Sequence, residues 1–251
     1  MNITSNKHPS ANTGDLKFIL NYVRLAFRCV LLLMALGVYV YNLITTGSAN
    51  LFGDSLHEPV VLTMIWAIFV TEMILRFFPS RFENMGCQKQ FAVNFRPSGK
   101  SAEKNHQAPG VIGVALAWIA LNSVIGLLFA FDVMGSDELV IISLVFSVCD
   151  VICILFFCPF QEWFMKNKCC TTCRIYNWDY AMMFTPLIFI SNFFARSLFL
   201  FGLALLVRWE LTALLHPERF CDTENLSLRC SECTERLCRH KKRLKKNLHK
   251  N

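Results

Sequence analysis

The sequence predicts an all-α, polytopic membrane helical bundle. It has four full spans, a long fifth segment read as a short re-entrant hairpin, and a small Cys-rich cytoplasmic element. Three observations predict this. Of 251 residues, 54% are hydrophobic and only 17% charged, with 23 Phe and a mean hydropathy of +0.41, which excludes an ordinary soluble domain. Several runs approach or exceed the roughly 18 apolar residues that read as a transmembrane helix. Among the connections between those runs, finally, Lys and Arg occur only in alternate ones.

Residues 1–15 are polar, contain Pro9 and Gly14, and show no apolar periodicity, so they read as a disordered cytoplasmic tail. Asn2-Ile3-Thr4 fits a glycosylation sequon, a chance match on that side of the membrane. The transmembrane domain then occupies 16–215. Its first span, 20–44, holds an apolar run longer than a signal-peptide core, behind a stretch too long for an n-region. It therefore reads as a retained helix. The second span is 59–78.

Arg24 and Arg28 open the first span, while Glu72 and Arg76 close the second, so alternating direction puts all four near one interface. In the plainer reading the arginines snorkel and Glu72 pairs with Arg76 one turn away. The sharper reading pairs Glu72 with Arg28 or Arg24, offsetting the cost of burying either charge.

The third span, 111–131, carries Asn122, a residue suited to an interhelical hydrogen bond. The fourth, 139–160, carries Asp150 at its midpoint. A mid-bilayer carboxylate needs a partner or a water-filled cavity, and Arg196 in the last apolar segment is the expected partner.

Connection 45–58 has no Lys or Arg, and 132–138 has only acidic charges. Connection 79–110 has Arg81, Lys89, Arg96, Lys100 and Lys104, and the loop 161–179 has Lys166, Lys168 and Arg174. The positive-inside rule places those two loops and the N-terminus in the cytoplasm.

The fifth segment, 181–215, would be about 52 Å long as one helix, too long for one crossing and too short for two plus a turn. One crossing would also export a tail with eleven Lys and Arg after position 207. A hairpin turning near Ser191, Asn192, Arg196 and Ser197 keeps both termini cytoplasmic.

The tail, 216–251, shares a pattern with the loop 161–179. Seven of the twelve cysteines fall in these two polar stretches. Two C-x-x-C pairs, Cys170/Cys173 and Cys230/Cys233, have the spacing that directs four thiolates at one tetrahedral ion. Cys169, Cys221 and Cys238 are alternates. Zinc fits this donor set, and an iron–sulfur cluster or a dithiol/disulfide pair are the other chemistries that use it. Cys29, Cys149, Cys153 and Cys158 lie in apolar segments, where cysteine behaves as a small hydrophobe. Tyr176, Trp178 and Tyr180 read as an interfacial aromatic belt, with Asp179 as a helix cap.

Leu237, Leu244 and Leu248 give the basic tail a weak amphipathic face suited to anionic lipid. No aromatic follows Phe220 to stack on bases, which argues against nucleic acid. No nucleophile elbow, P-loop, H-E-x-x-H or dinucleotide fingerprint is present. Three functions follow: a non-catalytic membrane protein whose four-cysteine site is structural or docks a protein partner, a membrane redox protein, or a small transporter or channel using Asp150 and Arg196.

Overall fold

The computed structural model describes residues 11–47, 51, 58–79, 88–99, 108–166 and 173–229, together with 231, 237, 240, 241 and 243. Among the described residues the architecture is all-helical, and the one extended pairing is an isolated antiparallel bridge between Pro97 and Asn225. The α-helices are α1 (Ala11–Thr46), α2 (Glu58–Leu75), α3 (Ala108–Ala130), α4 (Ser136–Leu155), α5 (Asp179–Phe184) and α6 (Phe193–Leu215).

Among the described residues, four stretches are long and apolar enough to cross a membrane: Phe18–Thr46 of α1, Gly110–Ala130 of α3, and the whole of α4 and α6. Helix α2 ends at Leu75, where the chain tightens, with Arg76 and Phe77 bonding to the carbonyls three residues back. The end of the fifth segment, in contrast, is an unbroken helix from Phe193 to Leu215. At the start of the chain, α1 begins at Ala11, within the stretch read as a tail.

Side-chain contacts fix the register. Helices α1 and α4 are antiparallel, since Tyr22 meets Phe156, Arg28 meets Asp150 and Tyr39 meets Glu138. Helices α2 and α6 are parallel, with Trp66 against Ser197 and Phe77 against Arg208. The start of α1 and the ends of α2, α4 and α6 therefore share one end of the bundle, called here the basic end.

Helix α4 starts cleanly because Glu138 accepts the Gly135 N–H at 2.7 Å and, with Asp137, complements the positive helix N-terminus. Helix α6 starts at Asn192, whose side chain accepts the Ala195 N–H at 2.7 Å, a strong N-cap.

Before α6 the chain runs in tight turns. A 3-10 helix, Arg174–Trp178, leads into α5, and a second, Thr185–Phe189, follows it. Pro186 explains the change, since it has no N–H to continue an α-helix and its ring clashes with the preceding turn. Ile190 and Asn192 are extended, and there the chain reverses. Residues 174–190 then lie antiparallel to α6. Gly202 makes this possible, because a Cβ there would sit 3.0 Å from the Tyr180 carbonyl oxygen.

The main core lies between these elements and α2. It includes Phe69, Met73, Leu139, Tyr180, Met183, Phe184, Leu205 and Trp209. A smaller cluster of Val111, Val114, Met165, Cys173 and Ile175 packs the start of α3.

Gly202→Leu should wedge α5 away from α6 and cost about 1–3 kcal/mol, the usual penalty of overpacking. Gly37→Ala, with nothing within 4 Å of the added methyl, should leave stability unchanged or raised. Unfolding of both variants in detergent by denaturant titration checks the contrast, and equal stability of the two would refute the packing.

Candidate functional site

The concentration of chemistry is a buried charge cluster near the basic end. Its centre is Arg28 on α1, only 2% exposed. The guanidinium donates to Asp150 Oδ2 on α4 at 2.9 Å and to the Ser147 carbonyl at 2.9 Å. Its other terminal nitrogen reaches Glu72 Oε2 on α2 at 3.0 Å. The cation also faces the Phe69 ring at 5.6 Å. One planar fork thus satisfies two carboxylates and a carbonyl on two neighbouring helices, a geometry available to Arg and not to Lys.

Glu72 is held from three sides. Besides Arg28, it receives Arg24 Nε at 3.1 Å and the Tyr180 hydroxyl at 2.9 Å. Because Tyr180 belongs to α5, the cluster joins α1, α2, α4 and α5. Three charged or hydroxyl donors thus offset the cost of burying this carboxylate.

A second pair lies beside it. Arg76, 1% exposed, meets Asp179 Oδ2 at 2.6 Å in a close ion pair that is not aligned as a hydrogen bond. The guanidinium stacks over Tyr180 at 4.7 Å and faces Tyr176 at 5.8 Å. Asp179 Oδ1 accepts the Tyr180 N–H. Across both pairs, three arginines face three carboxylates.

The basic end is closed by a cap of irregular chain. Residues Gln88–Phe91 are buried, and Gln90 Oε1 accepts the Asn177 amide at 2.7 Å. Asn225, fully buried, donates to the carbonyls of Lys89 and Arg219 and accepts from Ser227 N. Backbone bonds from Ser98 to Glu224 and from Leu226 to Arg96 flank it. Phe91 and Phe220 both pack edge-on against Trp209 of α6. Further along the tail, His240 lies 3.1 Å from the Tyr22 hydroxyl and Lys241 donates to the Cys153 carbonyl at 2.7 Å.

Several expectations are corrected here. Asp150 takes Arg28, not Arg196. Arg196 sits exposed in the first turn of α6, at the opposite end, and donates to Ser191 Oγ at 3.0 Å. Asp150 faces residue 28 because α1 and α4 run antiparallel in register; Arg196 is at another depth. Glu72 binds Arg28 and Arg24, and Arg76 turns instead to Asp179, because residues 174–190 bring a carboxylate into the bundle. For the same reason Tyr180 is a core residue, 1% exposed, and not part of an aromatic belt. Asn122 donates to Trp118 O within its own helix.

Of the four first-choice metal ligands only Cys173 is described; Cys170, Cys230 and Cys233, with the alternates Cys169 and Cys238, lie outside the described residues. Cys173 is 4% exposed among Val111, Val114, Met165 and Ile175. Cys221 lies 2.9 Å from Thr223 Oγ1. Among the described residues no three His, Cys, Asp or Glu side chains converge as a metal would require.

Sequence reasoning missed Glu210, which takes both Arg174 and the Trp178 indole N–H, the latter at 2.7 Å. It also missed Asn225 as the centre of the cap. Glu210 was open to inference as one more carboxylate in an apolar run, whereas nothing local marks Asn225. Comparison with protein-family models, with curated proteins and with solved structures finds no match.

Arg28→Gln leaves Asp150 and Glu72 short of their shared cation and should cost about 3–5 kcal/mol, as breaking a buried pair does. Arg196→Gln at the exposed far end should stay within about 0.5 kcal/mol of the parent. Denaturant titration of the detergent-solubilised variants measures both.

Proposed function

We propose that the chain is a multi-pass membrane protein of scaffold type, whose bundle carries a Cys-rich element at its basic, cytoplasmic end for a protein partner. One observation carries the reading. The charges inside the bundle are balanced and tied to one another, three arginines against three carboxylates. A transporter that loads an ion or proton needs a carboxylate that can change partners during the cycle. Here Glu72 and Asp150 share one buried guanidinium, an arrangement suited to holding four elements in place.

We further propose that zinc shared by Cys170, Cys173, Cys230 and Cys233 organises the Cys-rich element. What supports this is the return of the tail to the basic end, where His240 meets Tyr22 and Asn225 meets Lys89. Two knuckles can share an ion only if they lie at the same end. Both termini on the cytoplasmic face agrees with the basic connections and tail.

Two measurements test the proposal. Metal analysis of the protein purified in detergent should find about one zinc per chain, bound by four thiolates, and Cys173→Ser or Cys230→Ser should lose it. Reconstituted vesicles should show no proton or ion flux above protein-free vesicles. Flux that disappears in Asp150→Asn would replace the scaffold reading with a transporter. Iron with a visible chromophore would replace it with a redox protein.

A further inference from the structure

Outside the charge cluster, the described residues form a groove of about 600 Å³ along the outer face of α6, lined by Ala204, Val207, Arg208, Leu211, Leu215 and Arg219, among others. The helical lining positions fall at intervals of three and four, so they make one stripe along the helix. Val207, Leu211 and Leu215 are 46%, 52% and 72% exposed, on a helix apolar and long enough to span a bilayer. On the membrane reading of the bundle the stripe faces lipid. Arg208, Thr212, His216 and Arg219 line the groove beside this stripe, Arg208 next to Val207 and Arg219 beyond Leu215.

The polar side of the groove is held in place by the cap. Arg219 ends its own short turn beside Phe220, which is buried against Trp209, and its carbonyl accepts from the fully buried Asn225 at 3.0 Å. The Arg219 side chain has no hydrogen-bond or ionic partner among the described residues. Arg208 donates to the Phe77 carbonyl and stacks over Phe77 and Phe91 at 5.2 and 5.6 Å, which fixes its guanidinium at the groove. His216 lies 3.1 Å from Glu218, so the one carboxylate nearby already has a cationic neighbour when the imidazole is protonated.

We infer that this groove is a binding site for an anionic phospholipid. Its phosphate sits between the Arg219 and Arg208 guanidiniums, and its acyl chain lies along Leu215, Leu211, Val207 and Ala204. Charge and shape commit the site to that occupant. The last carbonyls of α6 carry the negative end of the helix dipole and disfavour an anion, so the two arginines must outweigh them. Guanidinium recognises phosphate through paired N–H donors, and the apolar stripe excludes a wholly soluble anion as the natural ligand. This site is separate from the basic C-terminal tail. The inference rests on the membrane reading of the bundle and is independent of zinc and of the scaffold proposal.

The experiment uses the full chain, delipidated in a neutral detergent, with thermal unfolding and native mass spectrometry as readouts. The probes are phosphatidylglycerol, phosphatidylcholine with the same acyl chains, and inorganic phosphate. Phosphatidylglycerol should raise the melting temperature more than phosphatidylcholine and remain bound as one lipid per chain. Arg219→Gln should weaken that binding about tenfold, the scale of one charged hydrogen-bonded contact. Arg219→Lys should keep part of the preference, and Arg196→Gln all of it. Equal binding of the two lipids, or a preference that survives Arg219→Gln, would overturn the site and leave the membrane reading intact. Stabilisation by phosphate alone equal to that by phosphatidylglycerol would overturn the lipid as ligand. A chain that stays monomeric and soluble without detergent would instead overturn the membrane reading itself. If Arg219→Gln fails to fold, competition between the two lipids for the parent protein decides the matter.

Discussion

A guanidinium buried between helices is the constraint on which the rest of this structure depends. Arg28 sits where α1, α2 and α4 meet, 2% exposed, in surroundings that cannot solvate a charge. Removing an ion from water costs several kcal/mol even after relaxation, so the helices can assemble only in registers that give Arg28 its carboxylates. That requirement sets α4 antiparallel against α1 with Asp150 at the height of residue 28, and it brings Glu72 of α2 to the same layer. Apolar packing alone would tolerate many rotations and slides of four nearly featureless helices. The ion cluster narrows them to one.

The cluster also explains the irregular stretch before α6. Alternating 3-10 and α turns from Arg174 to Phe189 reach about 29 Å, since 3-10 residues rise about 2.0 Å each against 1.5 Å in an α-helix. Backbone of this kind is tolerated at membrane depth only when protein covers it. Coverage comes from α6 through Gly202 and from α4 and α3, where Phe189 approaches Gly126 and stacks on Phe129. Its polar residues are placed for use: Tyr180 completes Glu72, Asp179 neutralises Arg76, and Arg174 and Trp178 bind Glu210. At its head, Asn177 joins Gln90 of the cap, so the cap and the charge cluster are mechanically continuous.

The helical membrane class was legible because apolar runs of span length survive any detail of packing. The shared depth of Arg24, Arg28, Glu72 and Arg76 was also legible, since alternating direction alone sets it. What failed was partner choice. Asp150 and Arg196 looked matched because each lies inside an apolar segment, but the chain reverses at Ile190–Asn192, and the reversal leaves Arg196 at the far end. The signal for that reversal was present in Thr185-Pro186, which stops an α-helix, and in Asn192, a good N-cap. The expected hairpin turned near Ser191, Asn192, Arg196 and Ser197 at the depth of Asp150, whereas a full helix of 23 residues runs on from that turn. Asn225 was beyond reach, because its role arises only when a loop 129 to 136 positions earlier folds against it. The Cys knuckles were legible as a pattern, and the described residues give only Cys173 and its apolar neighbours.

The central claim is that Arg28 and Asp150 are partners across the α1–α4 interface. A double-mutant cycle tests it most directly, using Arg28→Met, Asp150→Leu and their combination, with unfolding free energies measured in one detergent. Contacting residues of this kind couple by about 0.5–3 kcal/mol. The account predicts a coupling of at least about 1 kcal/mol, with the double variant more stable than the sum of the single losses. The matching cycle between Asp150 and Arg196 should be additive. Additive losses for Arg28 and Asp150, or coupling between Asp150 and Arg196, would contradict it.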